Sequence, residues 1–338
     1  MKRFVTFCLP LLGCLLGLMA VAEAQTEAVL GPFPVSKSRP SPENNLVEQA
    51  RFATQGFGSL KVSANARSAG MGDAFGAVAN DVSAMFYNPA GITQVERREF
   101  VGSYAKWLVD SYFGSFAIAS NVGWATVGVS FVFFNTGHIE ETTVNSPQGT
   151  GRRVPANDVA IGVALGKKVT DKLSVAGHVR FVQETLDTKK LSTVAVDFGT
   201  HFWTGFKSTR LTMTMKNLGG DRDVVFQRAR LPLTFHLAGA MEVYGKLNDP
   251  VSMTLAAEQT FYTDYAARYH AGAELWYHNL LALRGGYKFK YDSEGWTAGV
   301  GLKYKVEGRT IKLDVSYAPT ASPLDNSHPL RMSVGAAF

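Results

Sequence analysis

The side chains of this sequence that could do chemistry are histidines, arginines and carboxylates at alternate positions of strand-like segments. Such groups on one surface could hold a metal ion or carry out acid–base catalysis, but the same pattern is typical of a hydrated lumen in which opposite charges pair. No two histidines have a ligand spacing such as His-x-x-x-His, and we therefore favour the lumen. Its predicted polar lining is His178, Arg180, Asp197, His201, His236, Arg268, His270 and Arg284.

Two further catalytic patterns can be set aside. The sequence has no Gly-x-Ser-x-Gly elbow, which a serine hydrolase of the α/β type would need. The glycine cluster from Gly70 to Gly76 lacks the Lys-Ser/Thr ending of a phosphate-binding loop. We therefore expect a protein that is not an enzyme, with no catalytic residue, no metal and no cofactor, and we interpret these glycines as sites of close packing.

The segments that would position the polar residues alternate between apolar and polar side chains, which is the two-residue period of a β-strand. In one of them Trp296, Val300 and Tyr304 fall on the apolar face, whereas Thr297 and Lys303 fall on the polar face. Fourteen such segments follow one another, near 100–108, 112–120, 123–139, 157–168, 173–187, 191–205, 209–217, 231–244, 251–261, 267–277, 280–291, 295–306, 309–318 and 329–338.

This alternation fits either a soluble sandwich, whose polar face meets water, or a membrane barrel, whose apolar face meets lipid. Most segments are longer than the roughly 5–6 residues of strands in soluble sheets, and aromatic residues lie near their ends on the apolar face, as in an interfacial girdle. The connections 140–156, 218–230 and 319–328 are long, which is typical of the outer side of such a barrel. The pattern predicts an all-β fold, a 14-stranded antiparallel transmembrane β-barrel.

The last segment ends on Phe338. A strand edge left unpaired at this position would be a liability, so we expect the last strand to close the barrel against the first. A terminal aromatic residue resembles the assembly signal of bacterial outer-membrane barrels. It implies recognition of Phe338 by the barrel assembly machinery.

The amino-terminal residues are typical of an export signal. Lys2 and Arg3 precede an apolar run, and a small-x-small cleavage site ends at Ala24. We therefore expect residues 1–24 to be a signal peptide and 25–45 to be a flexible, proline-bearing lead-in. Both cysteines lie in the signal peptide, so the exported chain would have no disulfide.

Charge and composition narrow the classes of partner. The net charge of +6 comes from basic residues that are spread along the chain, which argues against a nucleic-acid-binding protein. No apolar run after the signal is long enough for a membrane helix, whereas 46% hydrophobic residues indicate a folded body. We expect the chain to reside among the lipids of the outer membrane of a Gram-negative bacterium.

Residues 46–98 are rich in small side chains and contain a short helical piece, 81–87, which ends at Pro89. The stretch Ala66-Arg67-Ser68-Ala69-Gly70-Met71-Gly72-Asp73-Ala74, followed by Val82-Ser83-Ala84-Met85-Phe86-Tyr87-Asn88-Pro89-Ala90-Gly91, closely resembles the amino-terminal signature of the PorV/PorQ family. That family belongs with the long-chain fatty acid transporters of the FadL type. The resemblance implies a hatch at 46–98 with short helices and a barrel at 99–338. It also implies that Asn88, Pro89 and Ala90 form the Asn-Pro-Ala motif of the hatch.

The resemblance implies two possible functions. PorV-like proteins act in type IX secretion, which would make the translocon, attachment proteins and secreted cargo the partners of the long external connections. FadL-like barrels instead take up hydrophobic molecules such as long-chain fatty acids through a gap made by an inward kink in one strand. Asn135, Thr136 and Gly137 are the candidate kink here, because glycine in a strand can mark a bulge. The mostly polar predicted lumen favours the secretion role.

Overall fold

The computed structural model describes residues 56–338 apart from 108–109, 138, 221, 225–226, 248, 264–265 and 321–328. The predicted signal peptide (1–24), the lead-in (25–45) and residues 46–55 of the predicted hatch lie outside the described residues. Among the residues that are described, no helix is long and apolar enough to cross a membrane.

The amino-terminal part of the described chain folds into short helical turns. One α-helix, α1, spans Ala66–Gly70, and three 3-10 helices span Gly58–Lys61, Val82–Phe86 and Pro89–Gln94. Asn65 caps α1, and Asp81 and Asn88 cap the second and third 3-10 helices. Each of these side chains accepts a hydrogen bond from a backbone N–H of the first turn. Pro89 stands in the first turn of its helix, where it has no intrahelical hydrogen bond to lose.

Sixteen strands follow in the described chain, and fourteen of them form one closed barrel in which neighbours along the chain are antiparallel. The barrel strands are β1 (Arg98–Lys106), β2 (Tyr112–Asn121), β3 (Thr126–Asn135), β4 (Ala156–Lys168), β5 (Leu173–Leu186), β6 (Lys189–Trp203), β7 (Arg210–Leu218), β10 (Thr234–Tyr244), β11 (Val251–Tyr262), β12 (Arg268–Tyr277), β13 (Leu281–Phe289), β14 (Trp296–Val306), β15 (Arg309–Tyr317) and β16 (Leu330–Ala337). The predicted fold is confirmed. The sequence did not indicate the small hairpin of β8 (Arg222–Val224) and β9 (Gln227–Ala229), which lies in the connection after β7.

The last strand closes the barrel as expected. β16 pairs with β1 from Leu330 opposite Lys106 to Ala337 opposite Glu99. Phe338 continues this seam, since its N–H donates to the carbonyl of Arg98 at 3.0 Å. Its role as an assembly signal stays a prediction.

The two ends of the barrel differ in their connections. The end that holds Phe338 has the connections 122–125, 169–172, 204–209, 245–250, 278–280 and 307–308, and we call it the short-turn end. The opposite end, which we call the long-loop end, includes the connections 136–155, 219–233 and 318–329. This asymmetry is typical of outer-membrane barrels, whose long loops face the outside.

The outer and inner faces of the barrel wall have opposite polarity. In β14 every second residue from Trp296 to Leu302 is exposed and apolar, while Thr297 and Gly301 between them are buried. Val163 on β4 is 60% exposed in the same way. An exposed apolar band on every strand would be unstable in water, so the outer face is suited to lipid.

Candidate functional site

The hatch, which we define as residues 56–97, runs through the lumen from one end of the barrel to the other. Gly56 donates its N–H to the carbonyl of Arg230 at the long-loop end, and the carbonyl of Arg97 accepts from the N–H of Asn121 at the short-turn end. Between these points Met71, Phe75 and Ile92 are completely buried. The hatch is therefore the packed core of the lumen.

A line of acidic and basic side chains joins the hatch to the barrel wall. Arg67 of α1 donates from Nε and Nη2 to the two carboxylate oxygens of Glu274 on β12, at 2.9 and 2.8 Å. The same carboxylate accepts from Arg284 on β13 at 2.8 Å, and Arg284 also pairs with Asp314 on β15 at 2.6 Å. Arg67 is further paired with Asp81 inside the hatch at 3.1 Å. Two guanidinium groups thus share one buried carboxylate across the boundary between hatch and wall.

Several barrel side chains bind the hatch backbone directly. Glu258 on β11 accepts from the N–H groups of Phe75 and Gly76 at 3.1 and 2.8 Å. Arg210 on β7 donates to the carbonyl of Ala77 at 2.8 Å, and Lys216 donates to the carbonyl of Phe86 at 2.7 Å. Backbone groups in an irregular buried segment need such partners, because they have none within a helix or sheet. These bonds fix the position of the hatch.

The predicted hatch motif lies against β6. Asn88 is completely buried, and its amide nitrogen donates to the carbonyl of Thr200 at 3.1 Å. Its Oδ1 accepts from the N–H of Ala90 at 3.1 Å, so the side chain also starts the helix that Pro89 enters. A side chain at Gly199 would collide with this group, because a Cβ there would lie 2.1 Å from Asn88 Oδ1. The motif therefore combines a helix cap with an anchor to the wall.

A second hatch anchor is Asp73, which is held by Lys288 on β13. Nζ of Lys288 lies 2.7 Å from Oδ2 of Asp73, and the hydroxyls of Ser63 and Ser68 donate to the same carboxylate at 2.6–2.8 Å. Burial alone would raise the pKa of Asp73, but the positive charge of Lys288 and these hydrogen bonds outweigh burial and hold that pKa below its ordinary value of 3.8.

The lowered pKa of Asp73 predicts an acid-sensitive hatch. A carboxyl group whose pKa is lower in the folded than in the unfolded chain stabilises the fold at pH values above the pKa that it has in the unfolded chain. This stabilisation is lost as the pH falls below 3.8. We expect Asp73→Asn to lower the free energy of unfolding by about 1–3 kcal/mol at pH 7. We expect this difference from the wild type to be smaller at pH 3. Urea midpoints at both pH values measure this effect. Asp292→Asn, at an exposed position, is the control, and a gap that stays constant with pH would contradict the assignment.

The histidines predicted to line the lumen do not meet. Nε2 of His178 lies 2.9 Å from the hydroxyl of Ser130, whereas His201 lies 3.4 Å from the amide of Gln94. His236 Nδ1 lies 2.8 Å from Glu258, and His270 Nδ1 lies 2.7 Å from the carbonyl of Gly72. Within the described part of the chain, no group of three or more potential ligands is close enough to hold a metal ion. Each imidazole has a neighbour of its own on the wall or the hatch.

The predicted lining arginines lie in three different places, and Arg284 is in the ion pair with Glu274 described above. Arg180 and Asp197 form an ion pair at 2.7 Å, and the Oδ1 of Asn217 accepts a second hydrogen bond from Arg180 at 2.6 Å. They sit where the register of β6 and β7 shifts between Val196 and Phe198. Arg268, by contrast, lies over the ring of Tyr291, 4.1 Å from its centre.

The candidate kink residues lie at the long-loop end of β3. Asn135 is the last residue of that strand and still pairs with Asn157 on β4, while Thr136 and Gly137 follow the strand. Gly137 has a positive φ of 82°, a conformation that glycine adopts without strain. β3 pairs with both neighbours from Thr126 to Asn135 without a register shift. β3 is therefore regularly paired as far as Asn135, and a kink at Asn135, Thr136 and Gly137 stays a prediction.

The loop between β3 and β4 is held in one shape by its own hydrogen bonds. The N–H of Glu141 donates to the carbonyl of Arg152 at 2.9 Å, and the two side chains form an ion pair at 2.8 Å. Arg152 also pairs with Asp187 in the neighbouring connection. Near the tip of this loop Val144 is 99% exposed.

A cavity of about 920 Å³ opens below the hatch at the short-turn end, and we call it the vestibule. Its inner wall contains the ion pairs of Arg67, Glu274 and Arg284. Its outer part contains further charged residues and the ring of Trp276.

The main features of the site that the sequence did not reveal are the ionic anchors Arg67 and Asp73. Their sequence signals are that they are charged residues inside a segment of small ones and that they lie in the stretch 66–74 that resembles the family signature.

The architecture defines a class of protein, the outer-membrane β-barrel of fourteen strands with an amino-terminal hatch. Solved structures share this fold. A FadL homologue of Pseudomonas aeruginosa matches with a TM-score of 0.56 and 12% identity, over 82% of this chain and 98% of that one. The CymD monoaromatic hydrocarbon channel matches with a TM-score of 0.58 and 12% identity, over 82% and 98%. The toluene transporter TodX of Pseudomonas putida matches with a TM-score of 0.55 and 12% identity, over 81% and 97%.

Residues 45–214 match the family model described as type IX secretion system protein PorV. This chain belongs to the PorV family. It is therefore a non-enzymatic outer-membrane barrel of a family named for protein secretion. A comparison with curated protein sequences finds no match.

Proposed function

We propose that this chain acts in type IX secretion as a closed docking protein that presents its long-loop end to secretion partners and exported cargo. The observation that carries the proposal is the fixed hatch. Barrel side chains bind its backbone and its charged groups along the lumen, as Glu258 and Glu274 do. A docking protein needs no open lumen, whereas a channel does. Family membership supplies the link to secretion.

The chain would be exported and would have a defined orientation in the outer membrane. Residues 1–24 would direct export and be cleaved, the short-turn end would face the periplasm, and the long-loop end would face outward. Asn88, Pro89 and Ala90 would keep the hatch seated against β6. The polar groups of the lumen would bind the hatch rather than a small ligand.

The β3–β4 loop is the proposed contact surface. Its hydrogen bonds keep Val144 projecting into solvent, and an exposed apolar side chain on an ordered loop can enter a pocket of a partner protein. The partner would be a protein of the secretion system or its cargo. The other long loops, 219–233 and 318–329, are candidates for the same surface.

Complementation of a deletion strain tests the secretion role. Cells without the gene should retain exported proteins in the periplasm, and the wild-type gene should restore export. We expect Val144→Asp to reduce export at least several-fold at an unchanged level of folded barrel, because a carboxylate cannot enter an apolar pocket. Gln148→Asp adds the same charge to the loop at another exposed position and should preserve export. Normal export in the deletion strain would refute the proposal.

Uptake of hydrophobic molecules is the second candidate function, and one observation favours it. An apolar concavity of about 530 Å³ lies on the outer wall around Phe198, Met213 and Met215, next to the register shift between β6 and β7. A lateral exit would fit there better than at Asn135, Thr136 and Gly137. Growth of the deletion strain on a long-chain fatty acid separates the two functions. Lost growth with normal export would favour uptake.

A further inference from the structure

We propose that the vestibule is a binding site for an acidic peptide segment of a periplasmic protein. The site would be formed by Lys303 and Lys305 of β14, with Trp276 of β12 as its apolar wall. The binding chemistry does not depend on the secretion role proposed above. That the partner is periplasmic rests on the orientation of the barrel proposed above.

The charges of the vestibule are balanced in its depth and unbalanced at its mouth. Deep in the cavity, Lys312 pairs with Glu99 and lies 3.7 Å from Asp81, and Arg210 pairs with Glu242 at 2.9 Å. The ion pairs of Arg67 and Arg284 described above complete this inner part. At the mouth, the basic residues have no carboxylate within ion-pair distance among the described residues. They are Arg97, Arg98, Lys168, Lys303 and Lys305. The acidic side chains at the mouth, within the lining of the cavity, are those of Glu96 and Asp171. The mouth is therefore basic and attracts anions.

A like-charged pair strengthens this inference. Lys303 and Lys312 stand directly opposite each other on β14 and β15. Like charges at such cross-strand positions destabilise a sheet unless an anion neutralises them. Glu99 neutralises Lys312, which leaves Lys303 to attract an anion from solution.

The vestibule also has an aromatic wall next to its basic residues. The Trp276 ring lies 5.7 Å from the Nζ of Lys303 and 5.7 Å from the guanidinium carbon of Arg284. Such a ring offers an apolar surface on which the backbone or side chains of a bound peptide can pack. A ligand that combines carboxylates with a carbon framework therefore fits better than a simple inorganic anion.

Size and access favour a peptide over a lipid. The volume of about 920 Å³ is at the upper end of the ~300–1,000 Å³ range of small-ligand pockets, which is enough for a short peptide. The wall around the vestibule is a closed, hydrogen-bonded barrel, and the hatch lies above it. Entry is from the aqueous side at the short-turn end, whereas lipid acyl chains remain outside the wall.

Binding of labelled hexaglutamate to the purified full chain in neutral detergent tests the proposal. Fluorescence anisotropy should show saturable binding that weakens with rising salt. We expect the double variant Lys303→Glu, Lys305→Glu to weaken binding at least tenfold. The matched control is Lys189→Glu, Lys190→Glu, which changes the net charge equally at the long-loop end of β6, and it should bind like the wild type. The heat-dependent gel shift of a folded barrel confirms that both variants fold.

Three outcomes would overturn the proposal. The first is absence of hexaglutamate binding to the wild type. The second is equal weakening by both double variants, since this would show attraction to overall charge rather than to the vestibule. The third is that inorganic phosphate, or vesicles containing phosphatidylglycerol, displace the peptide completely at equivalent charge concentration, since this would show a site for small anions or for lipid headgroups.

Discussion

Replacement of Glu274 by alanine is expected to lower the free energy of unfolding by about 3–5 kcal/mol, which is the cost of removing one partner of a buried ion pair. The carboxylate is 2% exposed and accepts hydrogen bonds from Arg67 and Arg284. Its loss would leave Arg67 with Asp81 and Arg284 with Asp314, and would remove the bidentate bond between hatch and wall. Because the arginines would face each other without this carboxylate, we also expect the hatch to loosen.

Urea unfolding in detergent, followed by tryptophan fluorescence, measures the effect of Glu274→Ala. Glu307→Ala is the control, because Glu307 is exposed in the turn between β14 and β15. The control should change the midpoint little. If Glu274→Ala unfolds at the same urea concentration as the wild type, the ionic link does not hold the hatch.

The second large effect on stability is expected when one methyl group is added at Gly286, by replacing it with alanine. A Cβ at this position of β13 would lie 2.2 Å from the backbone nitrogen of Gly72 and 2.2 Å from the carbonyl carbon of Met71. Both atoms belong to the hatch backbone, so no side-chain rotation can relieve the clash. We expect Gly286→Ala to cost about 3 kcal/mol, the upper end of overpacking effects, and to displace the hatch.

The adjacent residue supplies a matched control. A Cβ at Gly285 would meet no atom within 4 Å, because this residue faces the outside of the same strand. Gly285→Ala should therefore leave stability unchanged or raise it by about 0.5–1 kcal/mol. Limited proteolysis of the hatch from the short-turn end compares the two variants. Equal protection of the hatch in both would contradict the close contact between β13 and residues 71–72.

The barrel could be predicted from the sequence because the alternation of apolar and polar residues that defines its strands can be seen in short segments. A two-residue period decides which face of each strand is apolar, and neighbours such as Trp296 and Thr297 show it without knowledge of the fold. The turns follow from breaks in that period. Closure between β1 and β16 then follows from the need to pair every edge in a membrane.

The site could be predicted only in part, because its contacts join distant parts of the chain. Arg67 and Glu274 are separated by 207 positions, and the partner of each depends on the height at which the hatch lies in the lumen. The same limit applied to the lining histidines, whose inward direction could be predicted but whose partners could not. The motif at Asn88 was detected through family resemblance, while the reason for it, a bond to the carbonyl of Thr200, is a tertiary contact.

Ion conductance across a planar bilayer measures whether the hatch closes the lumen. The full chain is expected to show no steady current at low voltage. Gly286→Ala should raise conductance, whereas Gly285→Ala should not. A stable open current through the wild-type chain would show that the hatch does not close the lumen.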